Sequence, residues 1–286
     1  MVKFVNLWIA IPDSSISDEQ TIRDKSIKVS QFARACSIFR VNRIYIYHDK
    51  TSRIGKEDID TLKTILRYLD TPQYLRRILY HHIPQLHYAG ILHPIKAPHH
   101  KKFEDIKRVK VGDVRVGVVV RSKGVRCVDI GLGALVPYVG NVRTEGEKVN
   151  VTIVSSYPDL KAREATAGDI KDHYWGYEVR DVPNLSELLQ LLQETEKTKI
   201  IITSRNGSYF QTKEDRLITC LTSIQNLLVV FGAPKKGADE ILESEGRSIK
   251  PFDLVVNMFP FQGTETVRLE EAILGTLAIL NYVFFK

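Results

Sequence analysis

Cysteine is scarce. Cys36, Cys127 and Cys220 are the three cysteines of a 286-residue chain. None belongs to a CxxC spacing, which excludes a disulfide framework and a cysteine-ligated zinc cluster and points to a reducing compartment. Bilayer-length hydrophobic runs are also missing: residues 272–285 are apolar but too short to cross a membrane, and read as a helix buried in a core or a subunit interface. The opening MVKFVNLWIAIP has too short an apolar run, with no small-residue cleavage site before Asp13, and reads as a first strand. The expectation is a soluble cytoplasmic protein with no membrane partner. No GxxxxGK[ST] loop occurs, and Gly131-Leu-Gly133 lacks the third glycine of a dinucleotide turn, which argues against kinase-type and ordinary dinucleotide chemistry. There is no internal repeat and no low-complexity segment.

What is present is an ample apolar content of 43% and a net charge of +7 spread along the chain. The first allows one large α/β domain with a smaller companion; the second favours a polyanionic partner, nucleic acid first, over a merely solvated basic surface. Val5 to Ile11 and Asn42 to Tyr47 read as strands. Helical spacing runs through Ile22, Ile27, Phe32 and Cys36, and again through Ile59, Leu62, Ile65 and Leu69, until the Asp70-Thr71-Pro72 breaker. From about Ile95 the texture changes to alternating β-branched and polar residues with closely spaced glycines, the pattern of a small β-barrel or sandwich inserted into the α/β domain. The alternation of strand and helix returns near Tyr174. Strands are expected at Lys199 to Thr203, Leu227 to Phe231 and Asp253 to Met258, and a last helix opens on Glu270 and Glu271.

Two turns in that final third carry the chemistry. Phe231-Gly232-Ala-Pro-Lys-Lys-Gly237 follows an apolar strand, so Gly232 lets a ligand approach the backbone and Gly237 opens a helix; a plain strand-to-helix turn would look the same locally. The second turn is more specific. Asn257 ends a strand, Pro260 stops it, and Gln262-Gly263-Thr264 makes a tight polar loop before Thr266 or a neighbour caps the last helix. Arg268 at that helix start suits a carboxylate or phosphate, and Glu271 suits the positive end of the helix dipole.

FGAPKKG, NMFPFQGTETVRLEEAIL and ARACSIFRVNRIYIYHD together resemble the three motifs of the SPOUT superfamily of RNA methyltransferases. The segments YLDTPQYLRRILY and HHIPQLHYAGILHPIKAPHH are similar to its archaeal and eukaryotic branch with an inserted OB-like barrel. The resemblance spans nearly the whole chain and implies a SPOUT-type parallel sheet with a C-terminal trefoil knot over residues 1–94 and 170–286, interrupted by a small antiparallel RNA-binding barrel over 95–169. It further implies a homodimer that binds S-adenosylmethionine and acts on RNA. Carried over, Phe231, Gly232 and Gly237 match the glycine loop against the cofactor, and Asn257, Pro260, Gln262, Gly263 and Thr264 match the loop closing over its adenine. Thr266, Val267 and Arg268 match the start of the knot helix, and Arg34 is placed like the catalytic arginine of ribose-methylating members. Arg34 and Arg268 are thus the candidates for a cation that eases loss of the acceptor's proton. Lys28 in place of Asn, Arg40 in place of Gly and Arg268 in place of Asn depart from the ribose-directed pattern and leave base nitrogen and ribose 2′-hydroxyl both open.

Six of the eight histidines fall between His81 and His100. No carboxylate or cysteine spacing of a known metal site accompanies them, so a basic loop is the reading and no metal is assigned. In the insert, Arg115, Arg121, Lys123, Arg126 and Arg143, with Tyr138 as a stacking ring, suit an RNA-gripping face, although a barrel needs a charged exterior in any case. Trp8 and Trp175 read as core. A non-catalytic RNA-binding or assembly protein using the same dimer scaffold is the competing expectation.

Overall fold

The computed structural model describes residues 5–102, 105–122, 124–141, 143–170, 173–194 and 197–285. Lys123 lies outside them. In chain order the elements are β1 (Asn6–Pro12), α1 (Ile22–Ile38), β2 (Val41–Tyr47), α2 (Lys56–Asp70), α3 (Gln73–Leu79), β3 (Val114–Ser122), β4 (Val125–Asp129), β5 (Val136–Val139), β6 (Lys148–Ser155), β7 (Lys161–Glu164), α4 (Ala167–Ile170), β8 (Glu178–Val182), α5 (Leu185–Gln193), β9 (Thr198–Tyr209), α6 (Glu214–Leu221), β10 (Asn226–Val230), α7 (Ala238–Ser244), β11 (Val255–Asn257) and α8 (Leu269–Phe284). Chain contacts divide them into two compact units, Met1–Arg67 with Gln85–Pro94 and Tyr177–Lys286, and Tyr68–Pro84 with Ile95–Gly176.

The first unit is a six-stranded sheet in the order β11-β9-β10-β1-β2-β8, and every adjacent pair is parallel. Its central strand NLWIAIP is buried from its second residue to its last, as a strand covered on both faces by crossover helices must be. Trp8, Tyr45, Leu188, Leu228 and Ile241 share one core, into which α5 and α7 pack. On the α1 side, Phe32, Ile273 and Leu277 are fully buried where α1 meets α8. Thr21 caps α1, its hydroxyl accepting from the Asp24 N–H at 3.0 Å. Beyond that helix Arg40 takes φ 60°, a left-handed turn in which glycine is the unstrained residue. The glycine expected there has a backbone reason, and its replacement by arginine is a strained choice.

The second unit is a closed five-stranded barrel ordered β3-β4-β5-β7-β6. Its pairs are antiparallel except β5 with β7, which runs parallel; closing an odd number of strands into a ring forces at least one such pair, so the purely antiparallel expectation is corrected. Val119, Val128, Val136, Val151 and Ala162 fill the interior. Leu75 of α3 packs on Val116 and Val118, and the Tyr74 hydroxyl donates to the Val116 carbonyl at 2.7 Å.

Three insert assignments change. Arg115 is fully buried and donates to the carbonyls of Ile130 at 3.0 Å and Lys102 at 2.6 Å, so it braces the barrel from inside. Tyr138 is 7% exposed and belongs to the barrel core, which removes it as a stacking ring. Arg143 is held by Glu147 and Glu164. Arg121 and Arg126 stand directly opposite each other on β3 and β4.

Two histidines of the His81–His100 segment are spent on structure. The imidazoles of His99 and His100 both face the Asp70 carbonyl, at 2.9 and 3.0 Å. The Asp70 carboxylate meets Lys148 at 2.9 Å and His99 at 3.2 Å. Burial alone would raise the Asp70 pKa, but Lys148 and His99 reverse the effect and hold it at about 2. Among the described residues no cluster of side chains is arranged for a metal ion, and no helix is long and apolar enough to cross a membrane.

Candidate ligand pocket at the carboxyl edge of the sheet

Open parallel sheets bind ligands beyond the carboxyl ends of their strands. Here a cavity of about 230 Å³ lies there, over β9, β10 and β11. Its first wall is the turn after β10. Phe231, Gly232 and Gly237 line the cavity, and the turn doubles back through an Ala233–Lys236 bridge. At Gly232 a Cβ would stand 2.6 Å from the Lys236 carbonyl oxygen and 2.7 Å from the Ala238 nitrogen. Both are backbone atoms, so only glycine lets the turn close this tightly. Gly237 is the N-cap of α7.

The second wall follows β11. Asn257, Gln262, Thr266 and Val267 line the cavity. The Asn257 side chain accepts from the Phe259 N–H at 2.9 Å and donates to the Arg205 carbonyl at 3.0 Å. The Gln262 amide donates to the carbonyls of Thr264 and Glu265 at 2.9 and 3.1 Å, so it braces the loop on which it sits. Pro260, Gly263 and Thr264 shape this loop without lining the cavity; the Thr264 hydroxyl donates to the Thr266 carbonyl at 3.0 Å. The floor comes from Leu269, Ala272 and Thr276 of α8. Thr276 is fully buried, and its hydroxyl oxygen has no hydrogen-bond partner.

A third wall went unread in the sequence. Thr203, Ser204, Arg205 and Asn206 line the cavity because β9 continues well past Thr203, where its end was expected. Its pairing with β11 jumps from Ile202–Val255 to Ser208–Val256, so the intervening residues bulge toward the ligand side. The available signal was the polar run TSRNGS after an apolar strand, with Gly207 where a Cβ would meet the Val256 backbone at 2.7 Å.

The two candidate arginines are placed outside the cavity lining. Arg34 donates to the Pro94 carbonyl at 2.8 Å. Arg268, next to Val267, is the N-cap of α8, a role expected at Thr266 or a neighbour. Its N–H donates to the Glu271 carboxylate at 2.9 Å, the structural part read for Glu271. The Arg268 guanidinium lies 3.4 Å from Glu19 and 3.8 Å from Glu270. Glu270 also meets the buried Lys28 at 3.3 Å, so its carboxylate is engaged by cations rather than free for a ligand.

Fold and site together define an α/β protein with a small-molecule pocket at the carboxyl edge of a parallel sheet, carrying a separate barrel. Residues 6–280 match the model of the family described as "Putative RNA methyltransferase". The chain belongs to this SPOUT-type methyltransferase family. It is 31% identical over 300 residues to a human (Homo sapiens) protein named 28S rRNA (uridine-N(3))-methyltransferase, covering 96% of this chain and 77% of that one. An uncharacterized protein from Halobacterium salinarum is 27% identical over 96% of this chain and 98% of its own length. The solved SpoU methyltransferase AviRb from Streptomyces viridochromogenes aligns with 100% of this chain and 61% of its own at 7% identity, with a TM-score of 0.40, too slight a likeness to bear on the fold.

Proposed function

We propose that the protein transfers a methyl group from S-adenosylmethionine to a base nitrogen of ribosomal RNA, with uridine N3 as the acceptor. The observation that carries this reading is the cavity itself, walled by the turn Phe231–Gly237 and the loop from Asn257 to Val267, the two segments whose motifs resemble the cofactor loops of the superfamily. The fit is supported by the unpartnered, fully buried Thr276 hydroxyl in the cavity floor, since a buried polar group without a partner is costly and a polar ligand atom would satisfy it. Phe231, Gly232, Gly237, Asn257, Gln262, Thr266 and Val267 would hold the donor through backbone edges and apolar contact. When bound, it supplies a methyl group on a sulfonium, already activated for transfer. The protein's own share is then to align the acceptor and exclude competing water.

A base as acceptor is supported by the relative named for uridine N3 and by Phe261 beside the cavity loop. Its side chain is 89% exposed, its φ is 57°, and its ring lies 5.5 Å from that of Tyr209. An exposed aromatic pair next to a donor pocket offers a face for stacking an unpaired base. We read the barrel as an OB-like element that grips RNA through Arg121 and Arg126, and the β9–α8 region as the knot of the superfamily. A homodimer would cover the apolar side chains that α1 and α8 leave exposed, among them Ile22, Leu274 and Tyr282, which fits the helix faces better than solvent does.

Nucleoside mass spectrometry of an unmodified large-subunit rRNA transcript, after incubation with the protein and methyl-labelled S-adenosylmethionine, tests the reading. The expected product is N3-methyluridine at one position; labelled 2′-O-methylnucleoside, or no label, contradicts it.

A further inference from the structure

A second constellation sits at the same edge of the sheet, at the ends of β1 and β2. His48 is exposed, while its partner Asp13 is buried, and the imidazole Nδ1 lies 2.6 Å from the Asp13 Oδ2. The other carboxylate oxygen, Oδ1, accepts from the Asp49 N–H at 3.0 Å. The backbone at Asp13 is pinned as well: its N–H donates to the Tyr47 carbonyl at 2.8 Å. Asp49, fully buried, accepts from Ser14 at 2.8 Å, Ser52 at 2.6 Å and the Thr51 N–H at 2.9 Å. Burial would raise the Asp49 pKa, and these hydrogen bonds reverse it so that the group lies below its ordinary value. The two loops after β1 and β2 are thereby locked together around one solvent-facing imidazole.

This geometry has a chemical consequence. A carboxylate on Nδ1 fixes the neutral tautomer with the proton on that nitrogen, leaving Nε2 as an acceptor. A buried carboxylate orienting an accessible imidazole is the arrangement of a general base.

The location joins it to the pocket. β1 lies between β2 and β10, so Asp13 follows the strand next to β10 and His48 the strand after it, about two strand spacings or roughly 10 Å from β10. The Tyr47 hydroxyl donates to the carbonyl of Phe231, a pocket residue, at 2.6 Å.

We infer that His48 is the general base that removes the acceptor's N–H proton, with Asp13 as its positioning residue. The inference rests on the proposed methylation of a base nitrogen. His48 Nε2 takes the proton; the N–H electron pair stays on the acceptor nitrogen and forms the new N–CH3 bond. The S–CH3 pair remains on sulfur, giving the neutral thioether, and the imidazolium returns its proton to solvent. A base nitrogen that carries a lone pair and no proton would need no such base. The charged group against the imidazole is the carboxylate of Asp13, at the end of β1; the carboxylate of Asp49, next in sequence, is taken up by Ser14, Thr51 and Ser52.

The test uses the full-length protein, its His48→Gln and Asp13→Asn variants, and an unmodified large-subunit rRNA transcript. Nitrogen-15 NMR of the wild type should show His48 protonated on Nδ1 and free on Nε2, with that preference lost in Asp13→Asn. The single-turnover methylation rate is then compared between the wild type and the variants across pH. His48→Gln should lower it at pH 7 by about 100-fold or more, bind S-adenosylmethionine as wild type does, and recover toward alkaline pH as the acceptor ionises unaided. Wild-type methylation matched by His48→Gln across the pH range overturns the base while leaving the proposed function standing. A wild type that binds S-adenosylmethionine but methylates only ribose, or that binds none, overturns both.

Discussion

Gly232, Asn257 and Thr266, singled out from turn chemistry, line one cavity, whereas Arg115, Tyr138 and Arg143, singled out in the barrel as an RNA-gripping face, are taken up by the barrel itself. The difference lies in what each signal encodes. A glycine between a strand and a helix reports backbone geometry, which is local and survives folding. An arginine on a strand reports only a charge; whether it faces solvent depends on register, and whether it is free depends on which carboxylates the fold brings to it.

The sharpest way to break this comparison is at Gly232. A Cβ there meets backbone atoms at 2.6 and 2.7 Å, so Gly232→Val should open the turn and weaken donor binding by about 100-fold, from an overpacking cost of about 1–3 kcal/mol plus lost contacts. Calorimetry against S-adenosylmethionine measures it, and an unchanged affinity would detach the turn from the ligand. In the barrel, Arg115→Ala should cost about 3 kcal/mol of stability, because the buried Ile130 carbonyl loses a charged donor and the fully buried arginine leaves a cavity; urea denaturation followed at a probe within the barrel reads this.

These two substitutions also mark what was legible. The order of strands and helices, the glycine turn and the Asn257–Val267 loop were readable because periodicity and turn residues act over short spans. Three features were not. The pocket wall from Thr203 to Asn206 arises from a register jump between β9 and β11, a pairing of distant strands. The inward turn of Arg115 needs the carbonyls of Ile130 and Lys102 to be in place. The Asp13–His48 dyad joins loops 35 residues apart, though the YIYHD segment holding His48 had been singled out as a motif.

A milder test concerns the arginines left on the barrel's hairpin. Arg121→Glu with Arg126→Glu should reduce RNA affinity about tenfold at physiological salt and flatten its salt dependence, while Arg143→Ala should leave both nearly unchanged. Equal effects of all three would erase the distinction between free and paired arginines.

A further effect is the acid sensitivity of the barrel unit. Burial, with the neighbouring His99 adding to it, pushes the His100 pKa down from 6.5 to about 4. A folded-state pKa below the unfolded one means that the stabilisation is complete above pH 6.5 and is lost as pH falls through about 4. Asp70, held at about 2, continues the loss below the ordinary carboxylate range. Together the first step should amount to about 2 kcal/mol, allowing for partial exposure of the ring. Thermal denaturation from pH 7 to 4 should show it, and His100→Gln should shrink the decline.

The central claim is that the cavity at the carboxyl edge over β9, β10 and β11 is the methyl-donor site. A crystal structure of the protein soaked with S-adenosylmethionine tests it most directly. Density for the donor between the Phe231–Gly237 turn and the Asn257–Val267 loop, with a polar atom against the Thr276 hydroxyl, is the predicted result. A donor bound elsewhere on the chain, with this cavity holding only water, would contradict it.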